Sequence, residues 1–118
     1  MADVVALVDD LFFQSKLLET AKQVGVELRA CSTADALASE ISGHAPRLVV
    51  VDLNAQGDPL EAVRRVASSG REIPLIAYLS HVQTDLAESA RAAGCRDVMP
   101  RSKFTRDLAT ILSRAKSE

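Results

Sequence analysis

The stretch Arg47–Pro59, RLVVVDLNAQGDP, places one aspartate at the end of an apolar run. The run Leu48–Val51 is typical of a strand buried on both faces, because aliphatic residues follow one another without polar alternation. Asp52 stands where this strand meets a loop that contains Gly57. We therefore predict a strand over Leu48–Leu53 whose carboxyl end presents a carboxylate group.

The end of the same stretch predicts the start of a helix. Asp58 precedes Pro59, and Glu61 follows two residues later. Aspartate is a favoured N-cap residue, proline suits the first helical position, and a glutamate at the third can reach back to the cap. We therefore predict a helix that begins at Pro59 with a reciprocal capping box and ends by Gly70. An early helix start is also expected to bring Asp58 towards Asp52.

Strand and helix patterns alternate along the whole chain of 118 residues. The predicted strands are Val4–Val8, Val26–Cys31, Leu48–Leu53, Ile73–Leu79 and Asp97–Pro100. Helical spacing of apolar residues follows each of them, and Thr105 is the predicted cap of the last helix. Strict alternation favours an α/β fold with a parallel sheet and right-handed crossovers. We interpret residues 1–118 as a single flavodoxin-like (βα)5 domain with helices on both faces of the sheet.

Composition excludes several classes of partner. The net charge is −2, aromatic residues make up 3% of the chain and tryptophan is absent, which argues against nucleic-acid binding. The N-terminal sequence MADVVALVDD lacks the basic segment of a signal peptide, and no apolar run is long enough to span a membrane. Cys31 and Cys95 lie far apart, so we predict small buried thiols and not a metal or redox pair. These patterns predict a cytoplasmic protein.

Acidic residues follow two of the predicted strands. Asp9 and Asp10 end the first strand, and Asp52 ends the third. In a sheet of order 2-1-3-4-5 these strands are neighbours, and sites form beyond their carboxyl ends. Three carboxylates that meet there repel one another unless a cation lies between them. Oxygen ligands of this kind suit Mg²⁺.

The sequence resembles the receiver domain of bacterial two-component response regulators, the CheY-like family, over essentially its whole length. The matching segments are ALVDD at the first strand, LVVVDL at the third, IPLIAYLS at the fourth and AGCRDVM before the fifth. The resemblance implies a phosphorelay signalling domain and not an enzyme. It further implies that Asp52 accepts a phosphoryl group from a histidine kinase. Mg²⁺ would then be held by Asp9, Asp10, Asp52 and the backbone carbonyl of Asn54.

Several positions depart from the pattern of that family, so we predict that its switch and phosphate-contact positions are degenerate. Leu79 stands where the family has a hydroxyl residue, and Ser80 could replace it only through a bulge or a one-residue slip. Val98 stands at the position of the switch aromatic, and Arg101 replaces the lysine after the fifth strand. Ser102 replaces the following proline, so we expect a trans peptide bond there.

Two readings of function follow. Either Asp52 is phosphorylated in an atypical receiver, or the chain is a pseudo-receiver that docks or dimerises without phosphoryl transfer. In the second case Arg101 could pair with Asp52 and replace the missing charge. A nucleotide-binding or cofactor-binding domain is a third alternative, but no glycine-rich loop follows the first strand.

The family resemblance also predicts partners and the surface that meets them. A histidine kinase or another signalling protein would bind the face formed by helix 4, strand 5 and helix 5, and a homodimer is a further alternative. Phe13 fits the core stripe of the first helix. Plain packing is also the favoured prediction for Phe12, ahead of a place over the acidic pocket or exposure to a partner.

Overall fold

Five strands and six helices make up the computed structural model, which describes residues 2–80 and 84–116. The strands are β1 Val4–Leu7, β2 Leu28–Cys31, β3 Leu48–Asp52, β4 Leu75–Leu79 and β5 Asp97–Pro100. The helices are α1 Leu11–Val24, α2 Ala34–Gly43, α3 Pro59–Ala67, α4 Thr84–Ala93, α5 Arg101–Arg106 and α6 Leu108–Ser113. All five predicted strands are present, although β2 and β4 each begin two residues later than predicted.

The strands form one parallel sheet in the order β2-β1-β3-β4-β5, which confirms the predicted topology. Strand β1 lies between β2 and the central strand β3, and Leu7 is paired with both Cys31 and Val51. Because all strands run the same way, their carboxyl ends meet at a single edge. Strand order reverses between β1 and β3, which is where open sheets of this kind place their sites.

Two apolar clusters cover the two faces of the sheet, as predicted. Residues of β3 alternate between them: Val49 and Val51 pack under α2, α3 and α4, whereas Val50 packs under α1, α5 and α6. Each β3 residue is buried, which explains why the sequence of this strand shows no polar alternation. Cys31 and Cys95 are both buried and unpaired, as predicted. Burial raises the pKa of the Cys95 thiol to about 11.

The start of α3 is only partly as predicted. Asp58 is the N-cap residue and Pro59 opens the helix, but the Asp58 side chain makes no capping hydrogen bond. A capping side chain reaches the first N–H groups from extended backbone, whereas Asp58 has left-handed backbone with φ 59° and ψ 63°. The predicted capping box is therefore wrong.

The predicted last helix is divided into α5 and α6, and its helical part begins earlier than predicted. Helix α5 starts at Arg101, directly after β5, with Pro100 as its N-cap residue, and Thr105 lies inside it. Phe104 is fully buried against the core under α1, which favours a helical turn in this position. The described residues contain no cis peptide bond, as expected at Ser102. The earlier helix start matters for the carboxyl edge of the sheet, because it makes Arg101 the first helical residue after β5.

The loop between β3 and α3 packs closely against the start of α2. The N–H of Ala34 donates to the carbonyl oxygen of Gly57 over 3.0 Å. A Cβ atom at Gly57 would collide with the carbonyl oxygen of Ser32 and lie 2.9 Å from the Cα atom of Thr33. Only glycine fits at this position. The close contact holds the loop that follows Asp52 against the start of α2.

We predict that Gly57→Ala lowers the free energy of unfolding by about 1–3 kcal/mol, the usual cost of forcing an extra carbon into a packed region. Gly43→Ala is the matched control, because a Cβ atom at Gly43 has no neighbour within 4 Å. Urea unfolding of both variants measures the difference. Equal stability of the two variants would show that the loop moves away from Ser32 without cost.

Candidate functional site

The carboxyl edge of the sheet carries four charged side chains, which we call the acid site: Asp9, Asp10, Asp52 and Arg101. Asp9 and Asp10 connect β1 to α1, Asp52 ends β3, and Arg101 opens α5. Their charges interact, because Asp9 and Asp10 raise the pKa of Asp52 while Arg101 lowers it. The structure thus brings together residues from the ends of three strands.

Asp10 accepts three hydrogen bonds from protein donors. Its Oδ1 atom accepts hydrogen bonds from the backbone N–H groups of Phe12 at 3.0 Å and Phe13 at 3.3 Å, so it caps α1. Its Oδ2 atom accepts from Nη2 of Arg101 at 3.0 Å. The Arg101 hydrogen bond is the main cause that holds the pKa of Asp10 below its ordinary value, with the two backbone donors adding to it.

Arg101 joins the beginning of α5 to the beginning of α1. Its guanidinium carbon lies 4.3 Å from the centre of the Phe13 ring, a cation–π contact, while one nitrogen binds Asp10. The hypothesis that Arg101 pairs with Asp52 is therefore wrong, and its effect on Asp52 is electrostatic only. The physical reason is that the ring of Phe13 supports the guanidinium beside Asp10.

Asp52 is the one charged residue of the described chain that is buried, with 6% of its surface exposed. Its Oδ1 atom accepts a hydrogen bond from the backbone N–H of Asn54 at 2.9 Å. Burial raises the pKa of the Asp52 carboxyl above its ordinary value of 3.8, and this effect outweighs the hydrogen bond, which lowers it. The ionised carboxylate is thus held in a costly position.

The loop after Asp52 is held by two further hydrogen bonds. Asp9 is exposed, and its Oδ2 atom accepts from the backbone N–H of Gln56 at 2.7 Å. The Oδ1 atom of Asn54 accepts from the backbone N–H of Ser80 at 2.6 Å. Asp9 therefore connects the end of β1 to this loop, and Asn54 connects the loop to the end of β4.

The register of β4 shows no one-residue slip or bulge that would bring Ser80 to the position of Leu79. Asp52 is paired with Tyr78 in continuous parallel register, so Leu79 keeps its place as the last residue of β4. The Leu79 side chain is buried in the cluster under α2, α3 and α4, whereas Ser80 is exposed beyond the strand. Val98 is also buried in that cluster.

The residues present do not fit a Mg²⁺ site in this conformation. Residues 2–80 and 84–116 contain no group of three or more acidic, histidine or cysteine side chains arranged to hold a metal ion. Asp10 already accepts three hydrogen bonds, and the guanidinium of Arg101 brings positive charge to this edge. The expected fourth acid, Asp58, lines a surface cavity with Thr33 at the start of α2. It is not among the charges that shift the pKa of Asp52.

Sequence reasoning missed an aromatic cluster beneath Arg101. The ring centres of Phe13 and Tyr78 lie 5.1 Å apart, and those of Tyr78 and Phe104 lie 4.6 Å apart in a stacked arrangement. Side chains of β4 alternate between the two faces of the sheet, which places Tyr78 on the face covered by α1. This alternation was the signal in the sequence that could have predicted the cluster. Phe12 is 91% exposed, so the prediction of plain packing is wrong for this residue, whereas Phe13 lies in the core as predicted.

Comparisons with known proteins identify the fold. No family model matches the sequence, and no curated protein matches it. The solved receiver domain of NtrX from Brucella abortus is 25% identical, with a TM-score of 0.83, and the match covers 96% of this chain and 97% of that one. The receiver domain of the putative response regulator NarL from Mycobacterium tuberculosis is 18% identical over 99% and 98% of the two chains, with a TM-score of 0.81.

A third match is the receiver domain of the Francisella response regulator 1452, at 12% identity and a TM-score of 0.82, covering 98% of this chain and 96% of that one. The chain spans about a quarter of the longer NtrX chains that it also matches, covering 26% of one solved with ADP. The chain therefore has the fold of a response-regulator receiver domain, and the resemblance seen in the sequence is confirmed. Among the described helices, none is long and apolar enough to cross a membrane.

We predict that Asp52→Asn raises the free energy of unfolding at neutral pH in metal-free buffer. Because burial holds the folded-state pKa of Asp52 above 3.8, the folded state binds its proton more tightly than the unfolded state does. Stability is then lost as pH rises from 3.8 through the folded-state pKa. The amide keeps an acceptor oxygen for Asn54 but has no charge to bury. Urea unfolding across this pH range measures the effect.

The control for this substitution is Glu88→Gln, which removes one carboxylate from an exposed position on α4. The control should leave the free energy of unfolding at neutral pH unchanged, because the Glu88 side chain is exposed. A lower stability of Asp52→Asn at neutral pH would contradict the prediction, since it would mean that the ionised carboxylate makes a net favourable interaction.

Proposed function

We propose that this chain is a receiver-type signalling domain that acts through protein contacts without phosphoryl transfer. Receiver domains are signalling domains that interact with histidine kinases and other signalling proteins, and they generally have no enzymatic activity of their own. The observation that carries the proposal is the ion pair of 3.0 Å between Arg101 and Asp10.

In this proposal the guanidinium of Arg101 replaces a metal ion. Receiver domains typically bind Mg²⁺ when phosphorylated, and the cation neutralises carboxylates and the transferring group. Here the guanidinium of Arg101 provides positive charge from within the chain and is supported by the ring of Phe13. A divalent ion can reach both oxygens of Asp10 only if Arg101 and the N-terminal turn of α1 release them.

In this proposal the chain has also lost the side chains that would respond to a phosphoryl group. Leu79 has no hydroxyl group to bond a phosphoryl oxygen, and its side chain is committed to the core. Val98 is too small to signal by an inward and outward rotation, and it is buried as well. Without these groups, a phosphoryl group on Asp52 would lack the contacts that couple it to the surface.

The chain also exposes surfaces that could contact a partner protein. The predicted face of helix 4, strand 5 and helix 5 corresponds to α4, β5 and the two last helices, α5 and α6, and it exposes Glu88, Ser89 and Ala92 on α4. Across the Arg101–Asp10 ion pair, Leu11 and Phe12 expose large apolar side chains at the start of α1. Exposed aromatic residues of this kind are enriched at protein interfaces. These features support docking to a histidine kinase or another signalling protein, or to a second copy of the chain.

Phosphorylation of Asp52 by a histidine kinase is the second candidate function. It is favoured by the position of Asp52 at the end of the central strand β3, within reach of the charges of Asp9 and Asp10. In that case Asp9, Asp10, Asp52 and the backbone carbonyl of Asn54 would hold Mg²⁺, as the family resemblance implies. Mg²⁺ would then compete with Arg101 for Oδ2 of Asp10.

The two candidates are separated by treating the protein with acetyl phosphate or carbamoyl phosphate and Mg²⁺, followed by intact-mass measurement. We expect the wild-type mass to remain unchanged. A mass increase of one phosphoryl group that disappears in Asp52→Asn would establish the second candidate and overturn the first. Asp52→Asn serves as the control because it keeps the shape of the side chain and removes the nucleophile.

We further predict that Arg101→Met raises the affinity for Mg²⁺ by about tenfold, equal to 1.4 kcal/mol, because it removes a cation that competes for Asp10. Amide NMR shifts of Asp9 and Asp10 during a Mg²⁺ titration measure the change. Arg106→Met is the matched control, since Arg106 lies on the same helix and pairs only with its neighbour Asp107 among the described residues. An unchanged Mg²⁺ affinity in Arg101→Met would mean that Arg101 does not exclude the metal.

A further inference from the structure

A cavity of about 240 Å³ lies at the amino ends of the strands, at the opposite edge of the sheet from the acid site. It is lined by residues at the starts of β3, β4 and β5, by Ile111 of α6, and by Arg114 and Ala115, which follow α6. Nothing in the proposed signalling function uses this edge.

The floor of the cavity is apolar. Leu48, Ile76 and Ile111 line it, and all three side chains are buried in the core cluster under α1, α5 and α6. An apolar group placed against these side chains would be removed from water, which is favourable in proportion to the area covered. The floor therefore suits the hydrocarbon part of a ligand.

The rim of the cavity is basic. Arg47, Arg96 and Arg114 line it together with a single acid, Asp97. Within the described ranges 2–80 and 84–116, none of the three arginines forms an ion pair, although five other ion pairs are present. In a chain of net charge −2, three unpaired guanidinium groups around one cavity form a local positive field that attracts an anion.

Two of these arginines stand on fixed backbone. The N–H of Arg47 donates to the carbonyl oxygen of Asp3 at 2.8 Å, and the N–H of Arg96 donates to that of Leu75 at 2.8 Å. Both bonds tie the arginines to the amino ends of sheet strands. The main chain of both arginines is thereby held at the rim, and their side chains are exposed, within reach of an anion in solution.

We propose that this arginine cavity binds a small organic carboxylate with an apolar body, such as an aromatic or branched aliphatic acid. The planar guanidinium group matches a carboxylate in bidentate geometry, and the apolar floor matches the body. The volume of 240 Å³ is below the range of about 300–1,000 Å³ typical of drug-sized ligands, so the ligand is small. The proposal is independent of how Asp52 behaves.

The test is an amide NMR titration of the whole chain with benzoate, compared with benzamide as a neutral probe of the same shape. Benzoate is expected to shift the amides of Leu48, Ile76 and Ala115 in a saturable way and to bind about tenfold more tightly than benzamide. Equal affinity for the two probes, or shifts scattered over the surface, would overturn the proposal. Inorganic phosphate is the third probe, and binding as tight as that of benzoate would remove any role for the apolar floor.

Variants locate the site. Arg96→Gln and Arg114→Gln are each expected to weaken benzoate binding about tenfold by removing a charged donor. Arg64→Gln is the matched control, because Arg64 is an exposed arginine on α3 that does not line the cavity. Two arginine positions are tested so that misfolding of one variant, visible in its own amide spectrum, leaves the other decisive. The same loss in Arg64→Gln, or no loss in either cavity variant, would overturn the proposal.

Discussion

The parallel pairing of β1 with β3 is the constraint on which the rest of the molecule depends. Both strands are buried on both faces, so the helices must lie on two sides of the sheet and the crossovers must divide between them. The same pairing aligns Leu7 with Val51. The sheet therefore presents Asp9, Asp10 and Asp52 at one edge. The repulsion between these three carboxylates is a direct consequence of the strand register.

Each acid of that edge is stabilised in a different way. Asp10 forms an ion pair with Arg101 and accepts hydrogen bonds from two backbone N–H groups of α1. Asp9 accepts a hydrogen bond from the backbone N–H of Gln56. Asp52 accepts one from the backbone N–H of Asn54 and is almost completely shielded from solvent. The Arg101 guanidinium completes the set because it is always protonated and binds both a carboxylate and an aromatic face. The acids are thus accommodated by the chain itself, with burial of Asp52 as the remaining cost.

The fold could be predicted from sequence because strand periodicity and the apolar run of β3 are local signals. The positions of the acids followed, since strand ends are visible in the sequence. The partner of Arg101 could not be predicted, because it depends on where α5 begins, and that start is set by the burial of Phe104 against distant residues. The backbone of Asp58 was missed for a similar reason, since the neighbouring Gly57 packs against Ser32, far away in the chain.

The structural roles of the acids bear on how the resemblance to receiver domains is read. A fold does not determine chemistry, and sites are formed by few positions on a scaffold that many proteins share. Asp10 caps α1 and Asp9 ties down the loop after β3, so both residues contribute to the fold whether or not a phosphoryl group ever reaches Asp52. Their presence alone is therefore no argument for phosphoryl transfer. Under the function proposed above, the chemistry depends on Leu79, Val98 and Arg101, because the family resemblance implies different side chains at these positions for binding and reporting a phosphoryl group.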